Sequence, residues 1–239
     1  MSERFLEFDR LHNFRDVGGY RTASGAPIRW GRLYRSDSLG KLAGRDLDRF
    51  RALGLRAVID LRYPWEIEAG GRAPDDAGLA YYNLSIEKLP YDQAALDPSV
   101  DPVRTFADKN MEVAIEGAAE IRSALDVIAD TGPVVVHCSA GKDRTGLIVA
   151  LVLGLLGVAE DDIVDDYALT GLATERIIAD YRASSRPPIR WPGYGTAPAE
   201  AMRDTLDQLR RTYGSLRGYA TKELGIDDAY VERLRTRLV

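Results

Sequence analysis

The pattern of apolar and polar positions divides the chain into two parts. Up to about residue 158, short apolar runs typical of strands alternate with stretches of helical periodicity. From Asp161 onward only helical patterns follow, and they predict helices over about 161–182, 199–212, 215–224 and 228–238. Alternating strands and helices favour an α/β layer fold. The length of 239 residues is compatible with a single domain, 1–239.

Local signals place the elements of the first part. Ser24-Gly25 separates two short runs and predicts a hairpin. Apolar runs predict strands at 55–61, 79–86 and 134–136, and helical spacing predicts helices at 44–53, 111–128 and 144–156. The helix over 111–128 is expected to be one long amphipathic element. Residues 90–105 are rich in Pro and Asp and are expected to form a loop.

A loop rich in Pro, Gly and aromatic residues, Ser184 to Gly195, separates the first two C-terminal helices. Its composition is typical of a hinge. Two interpretations stay open at this point. The helices around it either complete the domain or, over 161–212, form a mobile lid above a site.

Composition narrows the classes of function. The formal net charge is −5, which argues against a nucleic-acid binder. The basic residues are 27 Arg and only 5 Lys, so local sites for phosphate remain open. One cysteine and two histidines exclude an intrachain disulfide and argue against a cysteine-rich metal site, so neither a metal nor a cofactor is expected.

Two features of the sequence bear on the compartment of the protein. The first residues carry no signal-peptide pattern. The longest apolar stretch, 146–159, is shorter than the ~20 residues of a membrane-spanning helix. We expect a cytoplasmic monomer, with export independent of a signal peptide left open.

The strongest chemical signal is the segment His-Cys-Ser-Ala-Gly-Lys-Asp-Arg-Thr-Gly, which begins at His137. A strand leads into it and a helix leaves it, so its backbone N–H groups and the helix N-terminus can surround an anion. Ser139, Ala140 and Gly141 would supply that loop, and glycine lets it fold closely around a ligand. The spacing Gly-x-x-x-x-Gly-Lys-Ser/Thr of nucleotide-binding loops is absent.

Two side chains of this segment specify nucleophilic displacement on phosphorus. Arg144 offers a planar fork to two phosphoryl oxygens. The positive loop also stabilises the thiolate of Cys138, which can attack phosphorus and form a phosphocysteine that water then hydrolyses. The hydroxyl of Thr145 can donate to the sulfur and help it leave.

The motif His137-Cys138-x-x-Gly141-x-x-Arg144-Thr145 resembles the signature of cysteine-dependent protein tyrosine and dual-specificity phosphatases. The longer segment, with 13–19 and 33–36 near the start, is similar to a narrower group of bacterial tyrosine phosphatases. That group resembles the secreted mycobacterial phosphatase of triple specificity. The resemblance spans nearly the whole chain, since 60–62 and 213–225 also match.

The resemblance implies a mostly parallel sheet of four or five strands, flanked by helices, and a helical lid. It implies that Lys142 and Asp143 bind or turn over substrate, and that Arg35 lies near the pocket. A phosphorylated protein or peptide is the expected substrate. A phosphoinositide is a weaker alternative, because Ser139 stands where phosphoinositide phosphatases usually carry a second lysine.

The proton donor to the leaving group stays open. The Trp-Pro-Asp tripeptide of classical tyrosine phosphatases is absent. Asp143, inside the loop, is the first candidate, and Asp60, at the end of a predicted strand, is the second. The leading hypothesis is a phosphotyrosine phosphatase, extending to phosphoserine, phosphothreonine or phosphoinositide. The alternatives are a phosphate-binding pseudo-phosphatase and a thiol enzyme of sulfur or arsenate transfer.

Overall fold

The computed structural model describes residues 4–239, and its centre is a five-stranded sheet. The strands are β1 Arg15–Asp16, β2 Leu33–Ser36, β3 Ala57–Asp60, β4 Ala80–Asn83 and β5 Val134–His137. Their order is β1-β2-β5-β3-β4. Only the β1–β2 pair is antiparallel, and the other three pairs are parallel. The predicted α/β fold with a mostly parallel sheet is confirmed.

Strand β5 occupies the middle of the sheet and is buried along its whole length. Its alternate side chains enter two different apolar cores: Val134 and Val136 belong to the larger one and Val135 to the smaller. This alternation is the pleat of a strand covered on both faces. In the register, His137 lies opposite both Ser36 and Asp60, so three parallel strands end at one edge of the sheet.

Helices cover both faces of the sheet. They are α1 Arg45–Ala52, α2 Pro64–Gly70, α3 Pro102–Glu116, α4 Ala118–Asp130, α5 Asp143–Leu155, α6 Glu160–Ala168, α7 Thr174–Arg182, α8 Ala199–Tyr213, α9 Leu216–Leu224 and α10 Asp228–Leu238. Buried side chains of α3, α4, α5 and α8 join the larger core, and Phe50 of α1 joins the smaller one.

The long helix expected over 111–128 is in fact two helices, and that prediction was wrong. Helix α3 already begins at Pro102, where the carboxylate of Asp101 caps the N–H of Arg104 at 2.9 Å. The loop expected over 90–105 is therefore shorter. Gly117 separates α3 from α4, and a Cβ there would lie 2.0 Å from the carbonyl oxygen of Ile86. Close packing of two backbones, which periodicity does not reveal, sets this break.

The C-terminal helices lie near their predicted bounds, with one interruption. The segment predicted as a helix over 161–182 is α6, a 3-10 helix Leu169–Ala173 and α7. Gly171, a weak helix former, lies inside the interruption. The hairpin around Ser24-Gly25 is confirmed by an antiparallel bridge between Arg21 and Pro27.

Candidate active site

The loop between β5 and α5 is folded tightly against the end of β2. Gly141 has φ +66°, and a Cβ at this position would lie 2.4 Å from the carbonyl oxygen of Ser36. Only glycine fits this conformation and this contact. The carbonyl oxygens of the loop bind outward: Asn13 Nδ2 donates to those of Ala140 at 2.9 Å and Gly141 at 3.1 Å.

The opposite side of the loop faces a cavity of about 700 Å³. Cys138, a free thiol with 3% exposure, lines this cavity together with Ser139, Ala140, Lys142, Asp143 and Arg144. The structure thus brings most of the predicted motif residues together. Helix α5 begins at Asp143, so its N-terminus points at the same space. Gly141 and Thr145 do not line the cavity, and Thr145 is fully buried behind the loop.

Two glutamates that the sequence analysis missed hold the guanidinium of Arg144. Its Nη1 and Nη2 donate to the two carboxylate oxygens of Glu66 at 2.6 and 3.0 Å. Its Nε lies 3.5 Å from Oε2 of Glu87. Burial works against the charged guanidinium, but the hydrogen bonds that Arg144 donates to Glu66 and the nearby acidic groups of Cys138 and Glu87 raise the pKa of Arg144 above its ordinary value. Arg144 is therefore a permanent cation at the cavity wall.

Asp143 and Lys142 form a second charged group on the same wall. Asp143 accepts hydrogen bonds from Tyr167 at 3.1 Å and from Gln93 at 3.1 Å, and the Lys142 ammonium lies 3.2 Å away. That ammonium also lies 3.3 Å from the ring centroid of Phe106. Burial lowers the pKa of Lys142, although Asp143 opposes the shift. Asp143 is therefore held by two hydrogen bonds and one ion pair on the cavity wall.

Asp60 lies beneath the loop rather than in the cavity. It is fully buried and accepts hydrogen bonds from Arg62 at 2.9 and 2.7 Å and from Tyr81 at 2.8 Å. His137 Nε2 lies 3.4 Å from it. Burial opposes ionisation, but Arg62, His137 and Tyr81 lower the pKa of Asp60 below its ordinary value. The structure gives Asp60 no access to the cavity that Cys138 lines.

Arg35 also lies under the loop and does not line the cavity. Its guanidinium donates to the carbonyl of Gly141 at 2.8 Å and pairs with the buried carboxylate of Asp166. It is fully buried. The resemblance predicted Arg35 near the pocket. Its side chain contacts the loop backbone from the side away from the cavity.

One wall of the cavity comes from the C-terminal part of the chain. The contributing residues are Ile177, Asp180, Tyr181, Ser184, Arg186, Pro187, Tyr194 and Gly195. They belong to α7 and the loop after it. No residue of α6 or α8 lines the cavity, and α8 instead buries its apolar side in the larger core. Within the predicted 161–212 segment, the residues that line the cavity therefore all lie within 177–195.

The missed glutamates carry a positional signal. Glu66 lies in α2, directly after β3, and Glu87 follows β4. In open α/β sheets, sites form beyond the carboxyl ends of parallel strands. Both segments meet this condition, but nothing in their local sequence marks these two carboxyls among the 37 acidic residues of the chain.

A loop of this kind, with a thiol, an arginine and a helix N-terminus at one cavity, is typical of phosphatases. Residues 6–239 match the tyrosine phosphatase family. The chain belongs to this family, and it is a phosphatase.

Among residues 4–239, no helix is both long enough and apolar enough to cross a membrane.

Individual relatives cover most of the chain. A candidate tyrosine-protein phosphatase of Cupriavidus necator is 32% identical in an alignment 245 positions long, which covers 94% of this chain and 85% of the relative. The triple specificity protein phosphatase PtpB of Mycobacterium tuberculosis is 30% identical and aligns over 93% of this chain and 95% of its own. Among solved structures, the Siw14 catalytic core covers 88% of this chain and 95% of its own, at 15% identity with a TM-score of 0.41.

Proposed function

We propose that this protein hydrolyses phosphotyrosine in a protein or peptide through a phosphocysteine intermediate, without a metal or cofactor. The observation that supports the proposal is the placement of the Cys138 thiol and the Arg144 guanidinium in one cavity wall, at the N-terminus of α5. The loop residues 139–141 would turn their N–H groups to the phosphoryl oxygens.

The reaction has two displacements at phosphorus. In the first, the Cys138 thiolate attacks, a P–S bond forms and the bond to the leaving oxygen breaks, while Arg144 neutralises the charge on two equatorial oxygens. In the second, water attacks phosphorus, the P–S bond breaks and inorganic phosphate leaves. The Thr145 hydroxyl, which is buried behind the loop, would donate to the departing thiolate. Asp143 stays a candidate for the proton donor, since it lines the cavity.

The walls of the cavity favour an aryl phosphate over a phosphoinositide. Five aromatic side chains line it: Tyr63, Trp65, Tyr91, Tyr181 and Tyr194. Its charged side chains balance in number, with Lys41, Arg62, Lys109, Lys142, Arg144 and Arg186 against Asp37, Glu66, Glu87, Asp92, Asp143 and Asp180. A polyanionic inositol headgroup would favour an excess of cations, whereas a phosphotyrosine ring fits apolar walls above one anion site.

Two further properties belong to the proposal. Helix α7 and the loop that follows it form a lid, because they cover Cys138 while α8 is anchored in the core. Trp191 fixes the far end of the loop, since it is fully buried and donates to the carbonyl of Val100 at 2.8 Å. The lone thiol fits the reducing cytoplasm, where we place a monomeric enzyme.

The test is release of inorganic phosphate from p-nitrophenyl phosphate and from a phosphotyrosine peptide in the presence of a chelator. We expect turnover of both by the wild type and none by Cys138→Ser. Iodoacetate should alkylate Cys138, and vanadate should block that reaction.

The Cys138→Ser variant should keep its fold and bind vanadate or phosphate, because the loop and Arg144 stay in place. Full activity of this variant would exclude the phosphocysteine. A wild type that binds phosphopeptides but releases no phosphate would instead be a pseudo-phosphatase. Faster hydrolysis of phosphoinositides than of phosphopeptides would overturn the substrate assignment.

A further inference from the structure

Two glutamates meet the same arginine but in different ways. Glu66 uses both carboxylate oxygens on Arg144 and also accepts the backbone N–H of Tyr63 at 2.9 Å. Glu87 lies 3.5 Å from Arg144 Nε and 3.4 Å from the Lys109 ammonium. Both carboxyls line the cavity of Cys138. Glu66 is therefore held in a bidentate hydrogen-bonded pair, whereas the contacts of Glu87 with Arg144 and Lys109 are longer.

Their surroundings separate the two carboxyls electrostatically. Burial raises the pKa of Glu87 above its ordinary value; Arg144 and Lys109 oppose the shift and Asp143 adds to it. Burial acts the same way on Glu66, but the hydrogen bonds from Arg144 outweigh it and lower the pKa of Glu66. When two carboxyls of one site differ in this way, the group with the raised pKa is the acid.

The charged and titratable groups that face Glu87 come from four segments. They are Arg144 and Asp143 of α5, Lys109 of α3, Tyr63 before α2 and Tyr91 on its own loop. A neighbouring carboxylate and an exposure of only 8% favour the protonated form. Asp143, in contrast, is held by hydrogen bonds from Gln93 and Tyr167 and by the Lys142 ammonium at 3.2 Å.

We infer that Glu87 is the general acid that protonates the leaving oxygen. The inference rests on the proposed function of the same cavity. As the Cys138 sulfur bonds to phosphorus, the electron pair of the breaking P–O bond goes to the leaving oxygen. That oxygen takes the proton of Glu87, which becomes a carboxylate. In the second displacement this carboxylate accepts a proton from the attacking water, so the acid is restored.

The position of Glu87 is compatible with this role. Arg144 is the group that holds the phosphoryl oxygens, and Glu87 lies beside its Nε on the cavity wall. The chain at Glu87 is fixed, because the preceding Ile86 packs its carbonyl against Gly117. In this arrangement Asp143 orients Lys142, Gln93 and Tyr167 around the loop, and it is not the proton donor.

The test compares leaving groups. A proton matters for phenolate and hardly at all for p-nitrophenolate. We expect Glu87→Gln to lower kcat for phenyl phosphate and phosphotyrosine about 10²–10⁴-fold, the usual range for general-acid catalysis. The loss with p-nitrophenyl phosphate should be a few-fold at most. The decline of kcat at basic pH, which reports the acid in the complex, should vanish in this variant.

Matched variants distinguish a proton donor from a positioning residue. Glu66→Gln and Asp143→Asn should slow phenyl phosphate and p-nitrophenyl phosphate by similar factors. Glu87→Asp should recover part of the loss with phenyl phosphate and keep the decline at basic pH, and it serves if Glu87→Gln does not fold.

Three results have distinct meanings. An equal loss with both substrates in Glu87→Gln would overturn the inference and leave Glu87 as a positioning residue for Arg144. A leaving-group-dependent loss in Asp143→Asn alone would assign the acid to Asp143. If the wild type hydrolyses neither substrate, the proposed function itself fails.

Discussion

Two arginines lie on opposite sides of the loop between β5 and α5. Arg35 reaches it from beneath, through the carbonyl of Gly141, and pairs with Asp166. Arg144 belongs to the end of the loop and pairs with Glu66 and Glu87 in the cavity wall. Both are paired with acidic side chains and are part of the resemblance to phosphatases. Their surroundings differ: the Arg35 side chain is fully buried, whereas that of Arg144 is 12% exposed toward the cavity.

This difference in exposure indicates that Arg35 supports the loop and that Arg144 is available for chemistry in the cavity. The Arg35 group is closed to the cavity, since the side chains of Arg35 and Asp166 are buried and Asp166 also accepts hydrogen bonds from Arg15 Nε at 3.4 Å and from Tyr20 at 3.4 Å. The Arg144 group is open to a cavity that can hold a phosphoryl group. Paired arginines therefore need not have the same role: we assign a structural role to Arg35 and a chemical one to Arg144.

The largest effect is expected at the open side. Arg144→Lys keeps one charge but loses the planar fork, so kcat for p-nitrophenyl phosphate should fall about 10³–10⁵-fold, the range known for arginines that stabilise transferring phosphoryl groups. Steady-state kinetics and the urea midpoint would be measured together. We expect the urea midpoint to change little. Kinetics like those of the wild type would contradict the role of Arg144 as the clamp.

A change in the buried group of Arg35 and Asp166 should mainly lower the free energy of unfolding. Asp166→Asn leaves the buried guanidiniums of Arg35 and Arg15 without a counter-charge, and breaking a buried pair in this way costs about 3–5 kcal/mol of the free energy of unfolding. Urea denaturation would measure it. The control is Asp161→Asn on the same helix, whose exposed pair with Arg203 spans 3.7 Å and should contribute at most about 1 kcal/mol. Equal losses of unfolding free energy in Asp166→Asn and Asp161→Asn would refute the structural role of the Arg35 group.

The pairing of Asp166 with Arg35 and Arg15 also predicts that the stability of the protein depends on pH. Burial opposes ionisation, but Arg35 and Arg15 lower the pKa of Asp166 below its ordinary value of 3.8. A carboxyl with a lowered folded pKa stabilises the protein above its unfolded pKa, and this contribution is lost as the pH falls further. The difference between wild type and Asp166→Asn should thus be largest near pH 7 and shrink below about pH 4.

The sequence predicted the site best where its chemistry is local. Cys138, Lys142, Asp143 and Arg144 follow one another in one loop, and the structure places all four in the cavity wall. Strands β3, β4 and β5 and most of the helices were also predictable from a local period, whereas β1, β2 and α2 were not placed and the break between α3 and α4 was missed. The four residues needed no knowledge of the rest of the fold.

Features that depend on distant contacts were not predictable. Glu66 and Glu87 reach Arg144 only because β3 and β4 end at the same edge of the sheet. The break at Gly117 reflects its contact with Ile86, and the two orientations of Arg35 and Arg144 reflect which side of the loop each element approaches. Local periodicity contains none of these distances.

The smallest expected effect concerns the proposed lid. Asp180 of α7 lies 2.8 Å from His12 Nε2 and 3.1 Å from the Lys41 ammonium, so it joins the lid to the body of the protein. The Asp180 side chain is 51% exposed, and exposed ion pairs contribute about 0–1 kcal/mol. Asp180→Asn should therefore speed alkylation of Cys138 by iodoacetate about five-fold at most.

Hydrogen exchange gives the independent measurement. In Asp180→Asn the amides of α7 should exchange faster than in the wild type, while those of the buried strand β5 should not change. Raising the salt concentration should speed alkylation of the wild type and have less effect on the variant, because salt screens the pair that the variant lacks. Glu175→Gln, an exposed change on the same helix, is the control and should leave the alkylation rate as it is. Unchanged alkylation and exchange in Asp180→Asn would show that this ion pair does not hold α7 over Cys138.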